Sequence, residues 1–265
     1  MNDPKNPYAP PTTRVADQEA RPEPTDSGTF IPNGRVRPAG AGARWIGDAW
    51  RLLKARPGQW ALALLLMFVA WIVLSMIPLV GFFMQLAVPF AIAGIALVAD
   101  EQRRTGSFEV GTLLGGFKQQ AGRLLAVGGL MMAAYIVIGI FVAVAIGIDF
   151  IRMAGAGSPD FSILFSLKNL LVILICIALM LPVGMAVYLA PQLIVLHNVP
   201  AVEAMKMSLF GTLKNILAGL VFAIVSLALV LVSMIPLFLG LLISIPILVI
   251  TNYTVYRDIF VEEND

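Results

Sequence analysis

The chain has 265 residues, of which 59% are apolar and only 13% charged, against roughly 45–50% and about 25% in an average soluble domain. That balance suits lipid, not water, and a formal net charge of +2 is too small to draw the chain to nucleic acid. The single cysteine, Cys176, excludes an internal disulfide scaffold.

The first 42 residues hold 8 of the 17 prolines and almost no aliphatic periodicity. Residues 1–43 are therefore expected to be a disordered, proline-rich cytoplasmic tail. No apolar core follows its first charges, so no secretory signal peptide is expected, and the first span would act as an uncleaved membrane signal. Arg35, Arg37 and Arg44 lie nearest the bilayer. With Arg51, Arg103 and Arg104 they are the candidates for contact with anionic lipid headgroups, at about 1 kcal/mol each.

In RWIGDAWRLLKAR, Trp45, Ile46, Ala49, Leu52 and Leu53 share one helical face, while Arg44, Asp48 and Arg51 share the other. This predicts an amphipathic helix lying in the headgroup layer. From Pro57 to Ala99 there follow 43 residues without Asp, Glu, Lys or Arg, and a run from Asn215 to Tyr256 has 42. One crossing needs about 20 residues, so each run is two helices and a bend. The pentapeptide SMIPL sits on both midpoints, at Ser75–Leu79 and Ser233–Leu237. Its proline removes a backbone donor, and Gly81 and Gly240 just beyond are expected to supply the dihedrals of the reversal.

The middle of the chain repeats the plan more loosely. SFEVGTLLGGFKQQ, with Ser107 as a cap and Val110, Leu113, Leu114 and Phe117 as its apolar face, is expected to form a second interfacial helix. Leu124–Ile148 crosses once, a mixed loop follows, and Asn169–Val202, interrupted by Pro182 and Pro191, is expected to be a kinked fourth helix running on toward His197. VPAVEAMKMSLFGTLK would lie on the membrane through Val202, Met205, Leu209 and Leu213, with Glu203 in its first turn. The fold class is thus an all-α polytopic membrane protein. It has six transmembrane helices as three hairpins, each preceded by a cytoplasmic interfacial amphipathic helix. The units are 44–99, 107–198 and 199–258 of a membrane domain spanning 44–258, and 259–265 is a second cytoplasmic tail.

Charge placement orients the domain. Only Arg152 and Lys168 of the 18 basic residues fall on the side away from the amino terminus, which puts both termini in the cytoplasm. The second helix of each unit carries a proline after a large apolar residue, at Val88-Pro89, Leu181-Pro182 and Ile245-Pro246. Kinks there either shape packing or open a shared cavity, for which Gln85, Asn252 and Tyr253 are the candidate polar lining. Gly139, Ala143 and Gly147, and separately Ala201, Ala204, Ser208 and Gly211, form small-residue stripes suited to close helix contact.

No ionisable residue falls within the six uncharged spans, and one histidine excludes a paired-histidine zinc motif. Cys176, between two isoleucines, reads as a core residue, and DEQRR at Asp100–Arg104 reads as a solvated cytoplasmic turn rather than a phosphate site. No catalytic residue, cofactor site or metal site is expected. The tail NPYAPP, the segment AWRLLKARPGQW and APQLIVLHNVPAVEAMKMSLFGTLKN resemble an uncharacterised family of bacterial multi-pass inner-membrane proteins defined as a domain of unknown function. They are more distantly similar to the membrane domain fused to some glycerophosphodiester phosphodiesterases. The likeness covers about residues 44–258 and carries no catalytic residues with it. The resemblance and the spans together imply a non-enzymatic protein of the bacterial cytoplasmic membrane that assembles with or supports other membrane components, as a partner of another membrane protein or as a homo-oligomer. The alternative is a small transporter or lipid-handling protein with a cavity between proline-kinked hairpins.

Overall fold

The computed structural model describes residues 28–155 and 165–263, and these are mostly helical. Helix α1 (Ala41–Ala55) leads into α2 (Pro57–Ser75), a short α3 (Pro78–Phe83), a 3-10 turn at Met84–Ala87 and α4 (Val88–Thr105). A second 3-10 turn (Val110–Leu114) and α5 (Gly115–Gln119) precede α6 (Ala121–Gly155), α7 (Leu167–Tyr188) and α8 (Ala190–His197). The chain ends with α9 (Ala201–Lys214), α10 (Ile216–Met234) and α11 (Leu241–Phe260).

Five segments are helical, long and apolar enough to cross a membrane: Pro57–Ser75, Met84–Thr105, Ala121–Gly147, Leu167–His197 and Ile216–Met234. The expected sixth, α11, is also long, but Thr251, Asn252, Tyr253, Thr254, Tyr256, Arg257 and Asp258 dilute its second half. That half is the most enclosed part of the molecule, with Ile250, Thr251, Tyr253, Val255, Tyr256, Ile259 and Phe260 all buried. Protein surrounds it, so its residues need not all be apolar.

The helix ends gather at one end of the bundle. Arg56 Nη2 donates to Gly106 O at 2.5 Å, joining the start of α2 to the end of α4. Arg123 Nη1 donates to Asn198 O at 2.6 Å, joining the start of α6 to the end of α8. Arg37 N–H donates to Asn215 Oδ1 at 2.6 Å and Arg35 Nη2 to Asp258 O at 3.3 Å, joining the start of α10 to the end of α11. The segments ahead of the hairpins then close the units head to tail. α1 packs on α10 and α11, residues 110–119 pack on α4, and α9 packs on α7 and α8.

Those three segments depart from the expected headgroup-layer helices. In α1 the expected face is the right one, but Trp45, Ala49 and Leu53 are buried against protein and not lipid. Gly42 permits that contact, since a Cβ there would lie 2.2 Å from Ala218 O of α10. The second segment is broken into a 3-10 turn and five helical residues, and Leu114 and Phe117 stay exposed. Ser107 caps nothing there; its Oγ donates to Glu101 Oε1 at 3.1 Å. In α9 the buried stripe is Ala201, Ala204, Ser208 and Gly211, while Val202 and Leu213 are exposed. Close backbone approach outweighed burial of the larger side chains.

The proline-rich tail requires a correction from residue 28 onward. Thr29–Phe30 forms β1 and pairs antiparallel with β2, Val261–Glu262, in the expected carboxy-terminal tail. Ile31 N–H donates to Phe260 O and Arg35 N–H to Ile259 O, both at 2.8 Å. Asn215, buried at the α9–α10 corner, donates to Arg35 O at 2.8 Å. Residues 28–40 thus form a strap across the charged end of the bundle. The rest of the expected tail, residues 1–27, lies outside the described residues.

Both SMIPL bends reverse the chain, with one shared device. The serine hydroxyl donates to its own helix, Ser75 Oγ to Ile72 O and Ser233 Oγ to Leu229 O, each at 2.7 Å. A Cβ on Gly81 would meet Ser75 O at 2.9 Å, and one on Gly240 would meet Ser233 Cα at 2.6 Å. The glycines are therefore needed for space and not for dihedrals. In the second bend the left-handed backbone falls on Leu237 and Phe238, with φ of 51° and 65°.

The fourth crossing breaks as its prolines suggest. α7 carries Pro182 inside it and stops at Tyr188, and α8 begins with Pro191 in its first turn. The displaced amide of Leu189 donates to Ser208 Oγ at 2.9 Å, whose hydroxyl in turn donates to Met185 O at 2.6 Å. Pro246 lies inside α11, whereas Pro89 opens α4 and kinks nothing. The expected loop after Ile148 is shorter than its sequence suggests. α6 continues to Gly155, Ser166 caps α7, and Lys168 pairs with the buried Asp149; residues 156–164 are outside the described set.

Candidate functional site

Three helices, α4, α8 and α11, meet at the centre, and each brings polar side chains into the same region. The sequence does this on helices because the flanking residues are small or branched and apolar, so one polar residue per turn can face inward while the others pack. Tyr253 OH donates to Asp100 Oδ1 at 3.0 Å, and Arg104 Nη1 reaches the other carboxylate oxygen at 3.3 Å. Gln192, fully buried, donates its amide to Asn252 Oδ1, and Asn252 Nδ2 donates to Tyr188 O at 3.1 Å. His197 Nε2 hydrogen-bonds the hydroxyl of Tyr256, and its ring stacks on Phe30 of the strap with centroids 3.9 Å apart. The strap, α8 and α11 are thereby tied through one imidazole.

Beside this network lies a cavity of about 340 Å³. Its walls are apolar: Ile92, Ile95 and Ala96 of α4, Phe222 of α10, Val249 of α11 and Trp71 of α2. Tyr188, Asn252 and Tyr253 supply its polar edge. Tyr188 also borders a second, equally apolar cavity of about 470 Å³, formed with Tyr135, Ile177 and Leu181 between α6 and α7.

The structure places Asn252 and Tyr253 together on the first cavity. Gln85 is not with them. It stands exposed on the 3-10 turn at the far end of α4 and lines neither cavity. Its position was read from its isolation in an uncharged run, which does not distinguish a buried polar group from one at a bend.

The candidate headgroup arginines divide. Arg35 donates to Val261 O and Arg37 pairs with Asp258, so both hold the strap to α11. Arg103 binds Glu263 at 2.8 Å and Arg104 binds Asp100. These four are engaged within the chain, which removes them as ready headgroup contacts. Arg44 and Arg51 lie on the exposed side of α1, Arg51 beside Asp48. DEQRR is not a solvated turn, because Asp100 and Gln102 point inward. Gln102 accepts from Trp60 Nε1 at 2.7 Å and donates to Leu52 O at 2.8 Å.

Tyr188, Gln192 and His197 belong to this network without having been candidates in the sequence. The signal was there in part. Tyr256 sits one turn beyond Asn252 and Tyr253 on α11, four and three residues on, the spacing that brings side chains together along a helix. Their partners come from other helices at separations no local pattern encodes. Cys176 is buried and makes no disulfide. Among the described residues no three His, Cys, Asp or Glu side chains gather closely enough to hold a metal ion. No protein-family model, curated protein or solved structure matches the chain.

Proposed function

We propose that the chain is a six-span protein of the bacterial cytoplasmic membrane, with both termini in the cytoplasm, that acts without catalysis by assembling with or supporting other membrane components. The six-span part draws support from β1 and β2. Their pairing joins residues 29 and 262, on either side of every crossing, so the number of crossings between them is even. Five apolar segments make an odd number, and α11 is the helix that restores parity. Gathering of the basic helix ends at the strap then agrees with the excess of Lys and Arg expected inside.

The assembly reading is carried by the outer side of α6. Gly139, Ala143 and Gly147 recur there every four residues, exposed or half-exposed, with open space around both glycines. They do not serve packing within the described bundle. Such a stripe lets a second helix approach closely through dispersion contacts. The test is purification in native-lipid discs with mass spectrometry of what accompanies the protein. A stoichiometric membrane protein, or a second copy, that is lost in Gly139→Leu and Gly147→Leu supports assembly. Full retention of the companion in both variants, or no companion, refutes it.

The second reading, a lipid-handling protein, is favoured by the cavity bordered by Asn252 and Tyr253. One enriched lipid class in the same discs would support it.

A further inference from the structure

Helix α1 has both of its ends at the start of an apolar crossing. Near its beginning, the Cβ position of Gly42 is 2.2 Å from Ala218 O, in the first turn of α10. Its other end passes through Arg56 alone into Pro57, the first residue of α2. Fifteen residues make a helix of about 22 Å. A rod of that length, fixed where two crossings begin, runs along the membrane boundary and not through it.

The side of α1 turned away from the bundle is basic. Arg44, Arg51 and Lys54 are exposed there, within about 80° of one another around the helix. Asp48 pairs with Arg51, but among the described residues Arg44 and Lys54 have no acidic partner. Such a row repels itself until anions come from outside the chain. Trp50, one turn before Lys54, is exposed at the edge of the same row, and an indole is most at home between water and hydrocarbon.

What lies beside the row is set by its connection to α2. Leu62, Leu65 and Leu66 are exposed on that helix, and Leu62 is only about 8 Å along it from Pro57. Hydrocarbon covers the exposed leucines of a crossing, so the layer just before them is that of the lipid headgroups. An acidic soluble protein would match the charges but not the exposed indole.

From the boundary position of α1, the unpaired Arg44 and Lys54 and the exposed Trp50, we infer that the outer side of α1 gathers anionic phospholipids. Lys54 with Arg51 holds the phosphate of one headgroup, and Arg44 holds that of a second. The ends of the row are about 15 Å apart along the axis, farther than one phosphate reaches. This row rests on α2 and α10 crossing the membrane and is independent of the α6 stripe and of both cavities.

The probe is dioleoyl phosphatidylglycerol, titrated into the full-length protein in a nonionic detergent and counted by native mass spectrometry against dioleoyl phosphatidylcholine at equal concentration. At least two phosphatidylglycerol molecules should stay bound, with a preference of about tenfold. Arg44→Gln with Lys54→Gln, which leaves the Asp48–Arg51 pair intact, should cut that preference about fivefold, while Arg44→Lys with Lys54→Arg keeps it. Each single glutamine variant, losing part of the effect, carries the test should the pair not fold, with gel filtration as the check. Lys118→Gln with Lys206→Gln removes two exposed charges away from α1 and should leave the preference within twofold. No preference for phosphatidylglycerol, a preference unchanged in the folded Arg44 and Lys54 variants, an equal loss in the Lys118 and Lys206 pair, or displacement of the lipid by the same concentration of glycerol phosphate would each overturn the inference. So would an acidic protein that accompanies the chain in native-lipid discs and is lost in Arg44→Gln with Lys54→Gln while the lipid preference stays. Thiol accessibility at the bends after α2 and α10 separates the failures. With both bends outside, a missing preference removes the headgroup row alone; with either inside, the crossings beneath it are lost too.

Discussion

Trp45 in α1 donates its indole N–H to Oδ2 of Asp258 at 2.7 Å, across 213 residues of sequence, while Arg37 of the strap pairs with the other oxygen of the same carboxylate. One acid thus fixes the first helix and the strap to the last helix. Thr254 Oγ1 donates to Trp45 O at 2.9 Å, one turn back along α11, so the attachment has two points.

Replacing Asp258 with Ala leaves an indole donor and a guanidinium without their acceptor. Hydrogen bonds to charged groups contribute about 1.5–3 kcal/mol, so Asp258→Ala should lower the thermal midpoint in detergent clearly, and Trp45→Phe, which removes one bond and keeps the ring, should lower it less. Circular dichroism melts of the three proteins check the order. Equal midpoints would mean that the carboxylate does not hold the two elements.

Gly42 predicts a steric effect without a polar one. Its Cβ position meets the backbone of Ala218, whereas nothing lies within 4 Å of the Cβ position of Gly40. Gly42→Val should push α1 off α10 and cost about 1–3 kcal/mol as overpacking does, while Gly40→Val should be close to neutral. Limited proteolysis after Arg44 and Arg51, compared between the two variants, reads the displacement directly.

How much of this was legible beforehand follows the range of each interaction. Uncharged length and proline placement are local, so the bends at Ser75–Leu79 and Ser233–Leu237, the break before Pro191 and the buried face of α1 could be read from one stretch at a time. The strap could not. Arg35, Arg37 and the amide of Ile31 find their acceptors in Asp258, Val261 and Phe260, over 220 residues away, and a proline-rich composition gives no hint of them. α9 misled for another reason. Its larger apolar residues suggested one face, but packing on α7 selected the small one, where Ser208 also repairs the broken backbone at Leu189. Asn252 and Tyr253 were legible as polar groups in an apolar run, yet their cavity is walled by residues of α2, α4, α7, α10 and α11 together, which no periodicity within one helix reports.

Gln102 ties the junction of α1, α2 and α4, and its two bonds need an amide. Gln102→Leu leaves the indole N–H of the fully buried Trp60 and the carbonyl of Leu52 unpaired, and each unsatisfied group costs about 1–3 kcal/mol. Gln102→Glu keeps an acceptor for Trp60 but loses the donor and adds a charge. Both should shift the emission of Trp60 as its surroundings change, with Gln102→Leu the less stable of the two in a denaturant titration only if the Trp60 bond outweighs the burial of charge. A wild-type midpoint for Gln102→Leu would show that the network contributes nothing.

Parity of the crossings gives the sharpest test of the topology. In a Cys176→Ala background, Met76→Cys and Ile235→Cys place a thiol on the two exposed bends, and Val202→Cys places one on the exposed side of α9 at the strapped end. A membrane-impermeant maleimide applied to intact cells should modify the first two within minutes and the third only after permeabilisation, because each bend lies one crossing away from the basic helix ends. If α11 did not cross, β2 would emerge on the side opposite β1 and the ladder between Thr29 and Glu262 could not form. Glu262→Cys, exposed on β2, reads that crossing directly, and its modification from outside together with Met76→Cys would break the third hairpin and the strap together.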